Sequence, residues 1–256
     1  ELDKRLASAQ FAKAAVWFAL LLLLKPQAVF FFPLFLYELI KRKHWKYWLV
    51  SLISGVLTVF AVVLPFSRDP LFIFKLYMGT AEGYKYASLN AFNLYSLLGL
   101  NLVQDNTVGF LFSYNIWGLL LDIALILWVG YKYLKSKSAA TVLFAAALLN
   151  AGAYMVSVRM HERYLFPVIA LLPVLYLFER RIGLMDLFGL FTVTITAGVN
   201  DVLYRMISTG YPHIPADDRL LFLLSAMNLA GMIGLFKIAS DRMRPTKIIS
   251  AKAKRS

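Results

Sequence analysis

Long apolar runs separated by short clusters of charge dominate the hydropathy pattern of the chain. A membrane-crossing helix needs roughly 20 apolar residues to cross about 30 Å of hydrocarbon, and several runs approach that length. The runs lack the short alternating segments that are typical of membrane β-strands. The pattern predicts eight membrane helices, at 6–24, 26–40, 47–65, 107–131, 139–158, 164–178, 182–199 and 219–239.

The predicted fold is therefore all-α, a polytopic transmembrane helical bundle that forms one domain over 1–256. Composition agrees, because 60% of the residues are hydrophobic and 15% are aromatic. The longest segment between predicted spans, 66–106, is itself apolar and aromatic. We expect it to include short helices that lie on the outer surface. The chain contains no cysteine, which excludes disulfides and thiolate chemistry.

The net charge of +13 comes mainly from short loops and from a basic tail at 240–256. Lys and Arg residues that flank membrane spans favour the cytoplasmic side. When eight spans are threaded, the clusters at 41–46, 132–137 and 179–181 fall on one side together with both termini. That side is predicted to be cytoplasmic, in a bacterial inner membrane or its equivalent. Membrane insertion and anionic lipids explain this distribution, so no nucleic-acid partner is expected.

The opposite side carries one dense cluster of charge, SVRMHERYLFP at 157–167, between two apolar runs. Each ionisable side chain at the centre of a membrane helix costs about 2.5–3.5 kcal/mol. These side chains are therefore expected to face a wet or phosphate-containing cavity. The structural alternative is a self-neutralised pair with a histidine among the head groups. The residues concerned are Arg159, His161, Glu162 and Arg163.

Other polar residues on the same predicted side need partners or water. Lys25 and Gln27 interrupt two apolar runs, either as a tight hairpin with a snorkelling lysine or as groups that face a cavity. Arg68 either pairs with Asp69 or with head groups, or binds a phosphate. The segment LNAFNLYSLLG at 89–99 can cap a short helix or line a site. Its candidate residues are Asn90, Asn93 and Tyr95.

Four elements in this order resemble the GT-C fold of integral-membrane glycosyltransferases that use polyprenyl-phosphate sugars. They are KPQ at 25–27, PFSR at 65–68, the asparagine-rich segment at 89–99 and MHERYLFP at 160–167. The similarity covers about residues 15–175 and is nearest to bacterial GPI-type mannosyltransferases and to dolichyl-phosphate-glucose glucosyltransferases. That family usually has more spans and an acid in its first outer loop. The resemblance thus implies either the C-terminal two-thirds of a GT-C module that has lost its beginning, or a degenerate or split homologue without the base.

The resemblance implies transfer of a hexose, of the mannose or glucose type, from a polyprenyl- or dolichyl-phosphate donor to an acceptor on the extracytoplasmic face. Basic side chains would neutralise the donor phosphate as it leaves; these are Lys25, Arg68, His161 and Arg163. Supporting residues would be Gln27, Glu162, Arg159, Asn90, Asn93 and Tyr95. The inverting displacement needs a carboxylate base, for which Asp69 and Glu82 are substitutes. No metal site is predicted, and the need for a divalent ion stays open.

Two other functions stay open. A transporter or flippase of a lipid-linked anionic substrate would use the same basic cavity without breaking a bond, although no inverted repeat is visible. A non-catalytic subunit of a larger complex would have membrane-protein partners, and the lack of the usual acid favours it. Loss of sugar transfer on mutation of His161 or Arg163 would separate the enzyme from both.

Overall fold

The structure is a computed structural model that describes residues 2–136 and 138–243. Helices dominate this part of the chain, and a two-stranded parallel pairing joins two of its loops. The α-helices are α1 (Leu2–Leu24), α2 (Phe32–Arg42), α3 (Trp45–Val63), α4 (Phe72–Glu82), α5 (Leu94–Leu97), α6 (Tyr114–Lys135), α7 (Thr141–Val156), α8 (Phe166–Glu179), α9 (Ile182–Thr209) and α10 (Arg219–Arg242). Two 3-10 helices span Pro26–Phe31 and Glu162–Leu165, and the strands are β1 (Ser88–Leu89) and β2 (Met160–His161).

Within residues 2–136 and 138–243, five helices are long and apolar enough to cross a membrane. They are Leu6–Leu24 of α1, together with α3, α6, α9 and α10. Large apolar side chains on these helices are exposed, among them Trp17, Leu57, Leu127 and Ile233, as expected where lipid replaces water as the surrounding medium. The protein is thus all-α and of the integral membrane type. The count of eight spans stays a prediction, because α2, α7 and α8 are shorter.

Prolines explain where two predicted spans differ from the observed helices. The predicted span at 26–40 is two elements, the 3-10 helix that starts at Pro26 and then α2, which has a proline at its start. The predicted span at 164–178 likewise begins with a 3-10 turn before α8. Proline lacks an amide hydrogen and fixes φ, which suits the first turn of a helix and interrupts a continuing one.

Helix α7 forms the centre of the bundle, and nearly all of its side chains are buried. Glycines allow its neighbours to approach closely, since a Cβ on Gly152 would lie 2.4 Å from a methyl carbon of Leu125 on α6. The pair α1 and α3 packs beside this bundle. It joins the bundle through α2, where the Tyr37 hydroxyl donates to the carbonyl oxygen of Ile126 at 2.5 Å.

The polar residues gather at two ends of the helices. We call the first the hairpin end, made of residues 84–105, 157–165 and 212–218, which are joined by hydrogen bonds. The second is the basic end, made of 38–46, 132–136, 138–141, 179–181 and 240–243, which ion pairs and hydrogen bonds connect. Residues 137 and 244–256, with most of the predicted basic tail, lie outside the described residues.

The segment 66–106 contains two short helices, but only one of them lies on the surface. Helix α4 is largely exposed. In α5, by contrast, Tyr95 and Ser96 are 3% and 1% exposed, and the position of both helices on the outer surface of the membrane stays a prediction. Helix α5 is buried because it packs between α7 and α10, so its polar groups must find partners inside the protein.

Candidate functional site

The candidate site is the loop between α7 and α8 together with the segment that it pairs with. Strand β2 runs parallel to β1, with His161 opposite Leu89. The residue before β2, Arg159, has a φ of 63°, and its amide donates to the carbonyl oxygen of Tyr86 at 3.0 Å. A positive φ is uncommon outside glycine and persists only where surrounding contacts hold it. The loop is therefore fixed to segment 84–97.

His161 lies between two aromatic rings. The ring centroids of Tyr84 and Tyr164 are each 5.0 Å from the imidazole, and the Tyr84 ring is nearly perpendicular to it. Burial lowers the pKa of His161, the positive charge of Arg163 lowers it further, and Glu162 opposes both by raising it. The net effect favours the neutral imidazole near pH 7, which can accept one hydrogen bond and donate another.

Glu162 and Arg163 form an ion pair across the surface of the site. Arg163 Nη1 donates to Glu162 Oε1 at 2.8 Å, with the carboxylate side chain 7% exposed and the guanidinium side chain 58% exposed. The buried partner thus orients the exposed one. A guanidinium has five N–H donors, so Arg163 keeps donors that face outward and can bind an anion in a planar, bidentate manner.

Arg159, by contrast, is bonded to a buried carboxylate. Its Nε donates to Asp105 Oδ2 at 2.6 Å, and Asp105 is 2% exposed. The backbone of Asp105 is held as well, since its amide donates to Lys85 and its carbonyl oxygen accepts from Asn115. Sequence reasoning missed Asp105. Its partner Arg159 is 54 positions away in the sequence, so no local pattern connected the two.

Asn90 joins three separate segments of the hairpin end. Its Nδ2 donates to the carbonyl oxygen of Pro212 at 2.7 Å, and its Oδ1 accepts from the amide of Ile214 at 3.0 Å and from Asn101 Nδ2 at 3.2 Å. Its φ of 57° is one that asparagine tolerates better than most residues. Asn101, which sequence reasoning also missed, completes the connection by donating to the carbonyl oxygen of Ile214 at 2.8 Å.

Asn93 and Tyr95 are buried and bonded to the protein backbone. Asn93 caps α5, because its Oδ1 accepts from the amide of Ser96 at 3.2 Å, and its Nδ2 donates to Tyr154. The Tyr95 hydroxyl donates to the carbonyl oxygen of Val156 at 3.0 Å. Burial and the neighbouring carboxylate of Asp122 raise the pKa of Tyr95. Both side chains therefore hold α5 against the end of α7, as a helix cap and a buried phenol do.

The other predicted phosphate-binding residues are not bonded to this cluster. Lys25 and Arg68 are exposed, and within residues 2–136 and 138–243 no hydrogen bond or ion pair joins either of them to the hairpin loop. The side-chain amide atoms of Gln27 are buried without a hydrogen-bond partner. The grouping of Lys25 and Arg68 with His161 and Arg163 around one phosphate stays a prediction.

The two candidate bases also lie outside the cluster. Asp69 bonds Lys75 Nζ at 2.7 Å, not Arg68, and accepts from the amide of Leu71 at 2.9 Å. The Lys75 hydrogen bond and the Leu71 amide lower the pKa of Asp69, so its carboxylate is ionised and already paired. Glu82 is exposed at the end of α4. Neither residue forms a hydrogen bond or an ion pair with the hairpin loop in the part of the chain described.

No cluster of three or more His, Asp or Glu side chains that could hold a metal ion is found among the described residues. The comparisons with known proteins give no match, whether to a protein family, to a curated protein or to a solved structure. The function must therefore be inferred from the geometry of the site. It offers an exposed arginine held by a buried glutamate, beside a neutral histidine between two tyrosine rings.

Proposed function

We propose that the protein is a membrane glycosyltransferase that moves a hexose, of the mannose or glucose type, from a polyprenyl-phosphate donor to an acceptor. The hairpin end would be the active face and would lie on the extracytoplasmic side of the membrane. The basic end would then face the cytoplasm with both chain termini, as positive charge favours. The lipid bilayer and the lipid-linked donor are the partners that this function requires.

The observation that carries the proposal is the Arg163, Glu162 and His161 arrangement. Arg163 belongs to a hairpin between two apolar helices, so its guanidinium would meet the head-group region, where a lipid phosphate would lie. Glu162, at 2.8 Å, holds it in one orientation. Fixed donors aimed at developing negative charge stabilise a phosphate leaving group more than water does. The tyrosine rings on His161 add flat apolar faces of the kind that pack against sugar C–H groups.

The second candidate function is a donor-binding, non-catalytic subunit of a larger membrane complex. The observation that favours it is the state of Asp69, whose carboxylate is paired with Lys75 at 2.7 Å. A general base must reach the acceptor hydroxyl within hydrogen-bond distance, and Asp69 does not contact the cluster. On this proposal the base would be supplied from outside residues 2–136 and 138–243, or from a partner.

The test is sugar transfer from a radiolabelled polyprenyl-phosphate hexose in membranes that contain the full chain. Arg163→Ala should lower the rate of transfer about 100-fold or more, the usual cost of removing one donor to a developing oxyanion. The rate of Arg163→Lys should lie between those of the wild type and Arg163→Ala, because lysine keeps the charge but not the planar pair of donors. Lys135→Ala, at the basic end, is the control and should leave the rate unchanged.

Two outcomes would contradict the proposal. Transfer at the wild-type rate by Arg163→Ala would show that Arg163 does not stabilise the donor phosphate. A loss of transfer counts in favour of the site when the variant elutes as a folded protein in detergent. Donor binding by the wild type without any transfer would instead favour the non-catalytic subunit.

A further inference from the structure

A second feature, independent of the hairpin end, is an apolar crevice between α1, α2 and α3. It has a volume of about 510 Å³. Its walls are almost entirely aliphatic and aromatic, and one wall runs along α3 from Trp48 to Phe60. Twelve residues of helix rise about 18 Å, so the crevice follows the helix axis for more than half of a hydrocarbon layer.

The dimensions of the crevice define the shape of its occupant. A volume of about 510 Å³ spread over about 18 Å describes a long, narrow groove, which a single hydrocarbon chain fits. Apolar walls are the surface that such a chain prefers.

A polar group lines this apolar wall without a hydrogen-bond partner. The hydroxyl of Ser51 is buried, in a residue that is 5% exposed, and it makes no hydrogen bond. Serine in a helix commonly bonds the carbonyl oxygen four residues earlier, but Ser51 does not. An occupant with an oxygen acceptor near the start of its chain, such as an acyl ester, would satisfy this donor.

The crevice ends within one helical turn of the basic segment 41–46. Leu39 of α2 and Trp48 of α3 line that end, and Lys41, Arg42, Lys43 and Lys46 are all exposed. The nearest acid in the sequence is Glu38, which accepts a hydrogen bond from Tyr133 and pairs with Arg42 at 3.7 Å, so the proposed contacts use Lys43 and Lys46 instead. Clusters of Lys and Arg between membrane helices bind anionic head groups.

The start of α3 adds a second anion-attracting group at the same place. No side chain caps this helix, whose N-cap residue is His44, so its first amide groups point into the basic segment with the positive end of the helix dipole. The imidazole Nδ1 of His44 is buried without a hydrogen-bond partner. Trp45 beside it is 67% exposed, as interfacial tryptophans are.

We infer that the crevice and the basic segment 41–46 form one binding site for an anionic phospholipid of the leaflet at the basic end. One acyl chain would fill the crevice, the ester region would lie near Ser51, and the phosphate would contact Lys43, Lys46 and the first amides of α3. This site goes beyond the proposed function and does not depend on it, since it lies at the opposite end from Arg163.

The experiment is native mass spectrometry of the full chain in detergent, titrated with phosphatidylglycerol or with phosphatidylcholine of the same acyl chains. The wild type should retain one copy of phosphatidylglycerol and bind phosphatidylcholine more weakly. The double variant Lys43→Gln with Lys46→Gln should bind phosphatidylglycerol roughly 25-fold more weakly, at about fivefold for each basic residue near the membrane surface. The matched control, Lys135→Gln with Lys237→Gln, removes the same charge elsewhere and should change little.

A second pair of variants tests the crevice itself. Val56→Trp places a large ring among the lining residues and should abolish retention of the lipid. Leu57→Trp adds the same ring at an adjacent, 62% exposed position that does not line the crevice, and should retain it. Equal binding of the two lipids by the wild type, or full retention by Val56→Trp, would overturn the inference. Co-purification of a second protein that Val56→Trp releases would overturn it in favour of a protein occupant.

Discussion

The hairpin end and the basic end both carry charge at the edge of an apolar bundle, but they use it differently. At the hairpin end, Asp105 and Glu162 are buried and accept hydrogen bonds from arginines at 2.6 and 2.8 Å. At the basic end, Arg181 and Asp241 are 4.0 Å apart with both side chains more than a third exposed, and in the tighter pair of Arg242 with Glu179, at 3.1 Å, the glutamate is still 11% exposed. Exposed pairs contribute roughly 0–1 kcal/mol, whereas loss of one partner from a buried pair is expensive.

The backbone differs in the same way. Irregular segments at the hairpin end lie inside the protein, where side chains satisfy them. Asn228 of α10 donates to the carbonyl oxygen of Phe92 and accepts from Thr194 of α9, and the Tyr154 hydroxyl accepts from the amide of Phe92. The number of basic residues therefore does not identify the more elaborate site. The buried, fully bonded polar groups do, because only they fix the position of other groups.

The strongest way to break the hairpin end is to displace Phe92 from α9. A Cβ on Gly198 would lie 1.9 Å from a ring carbon of Phe92, so Gly198→Leu should force segment 88–97 away from the helix. Overpacking a buried site usually costs 1–3 kcal/mol, and so severe an overlap should reach about 3 kcal/mol. The free energy of unfolding, measured by SDS titration in mixed micelles, checks this.

The control lies in the same helix. A Cβ on Gly189 meets nothing within 4 Å, so Gly189→Leu should change the free energy of unfolding by less than about 0.5 kcal/mol. Equal stability of the two variants would show that Phe92 does not pack against α9 in the membrane.

A smaller loss of stability is expected when one arginine from each end is replaced. Arg159→Ala removes the partner of Asp105 and should cost about 2 kcal/mol. That is below the 3–5 kcal/mol of fully buried pairs, because the Arg159 side chain is 33% exposed. Arg181→Ala breaks an exposed pair and should cost under about 0.5 kcal/mol.

Adding Asp105→Asn to Arg159→Ala should recover part of the lost free energy of unfolding, because a neutral amide is less costly to bury than an unpaired carboxylate. If the two single arginine variants lose the same amount, the distinction between the two ends fails.

Apolar periodicity was enough to predict the helical class and the long helices. Helices α3, α6, α9 and α10 are long apolar segments, as membrane-crossing helices are. Charged residues lie near their ends. The 3-10 helices at 26–31 and 162–165 were not predicted. A proline in the sequence is compatible with a 3-10 turn or with the start of an α-helix, and the packing of neighbouring helices decides between them.

The site was predicted only where its residues are adjacent in sequence. His161, Glu162 and Arg163 stand together in the chain, so their proximity needed no fold. The partners of Asn90 at Pro212 and Ile214 are 122 and 124 residues away, and no periodic pattern connects such positions. Lys25 and Arg68 were grouped with the hairpin through a family resemblance, and among the described residues no hydrogen bond or ion pair joins them to it.

The smallest effect concerns the protonation of His161, the residue that distinguishes the hairpin end chemically. Its pKa is lowered by burial first and by Arg163 second, while Glu162 raises it. A group with a lowered pKa stabilises the folded state above the ordinary histidine value, about 6.5. That contribution is lost as the pH falls through the pKa of the folded state. Acid should therefore loosen the hairpin once the pH falls below the ordinary histidine value.

The measurement is a titration of ¹⁵N-labelled imidazoles by NMR, with His161 assigned through His161→Gln. Arg163→Ala removes a positive charge and should raise the pKa of His161, whereas Glu162→Gln removes a negative charge and should lower it. Opposite signs are the decisive result, because a general loosening of the hairpin would expose the ring and raise the pKa in both variants. Shifts in the same direction would mean that burial alone controls the imidazole and that the ion pair beside it does not.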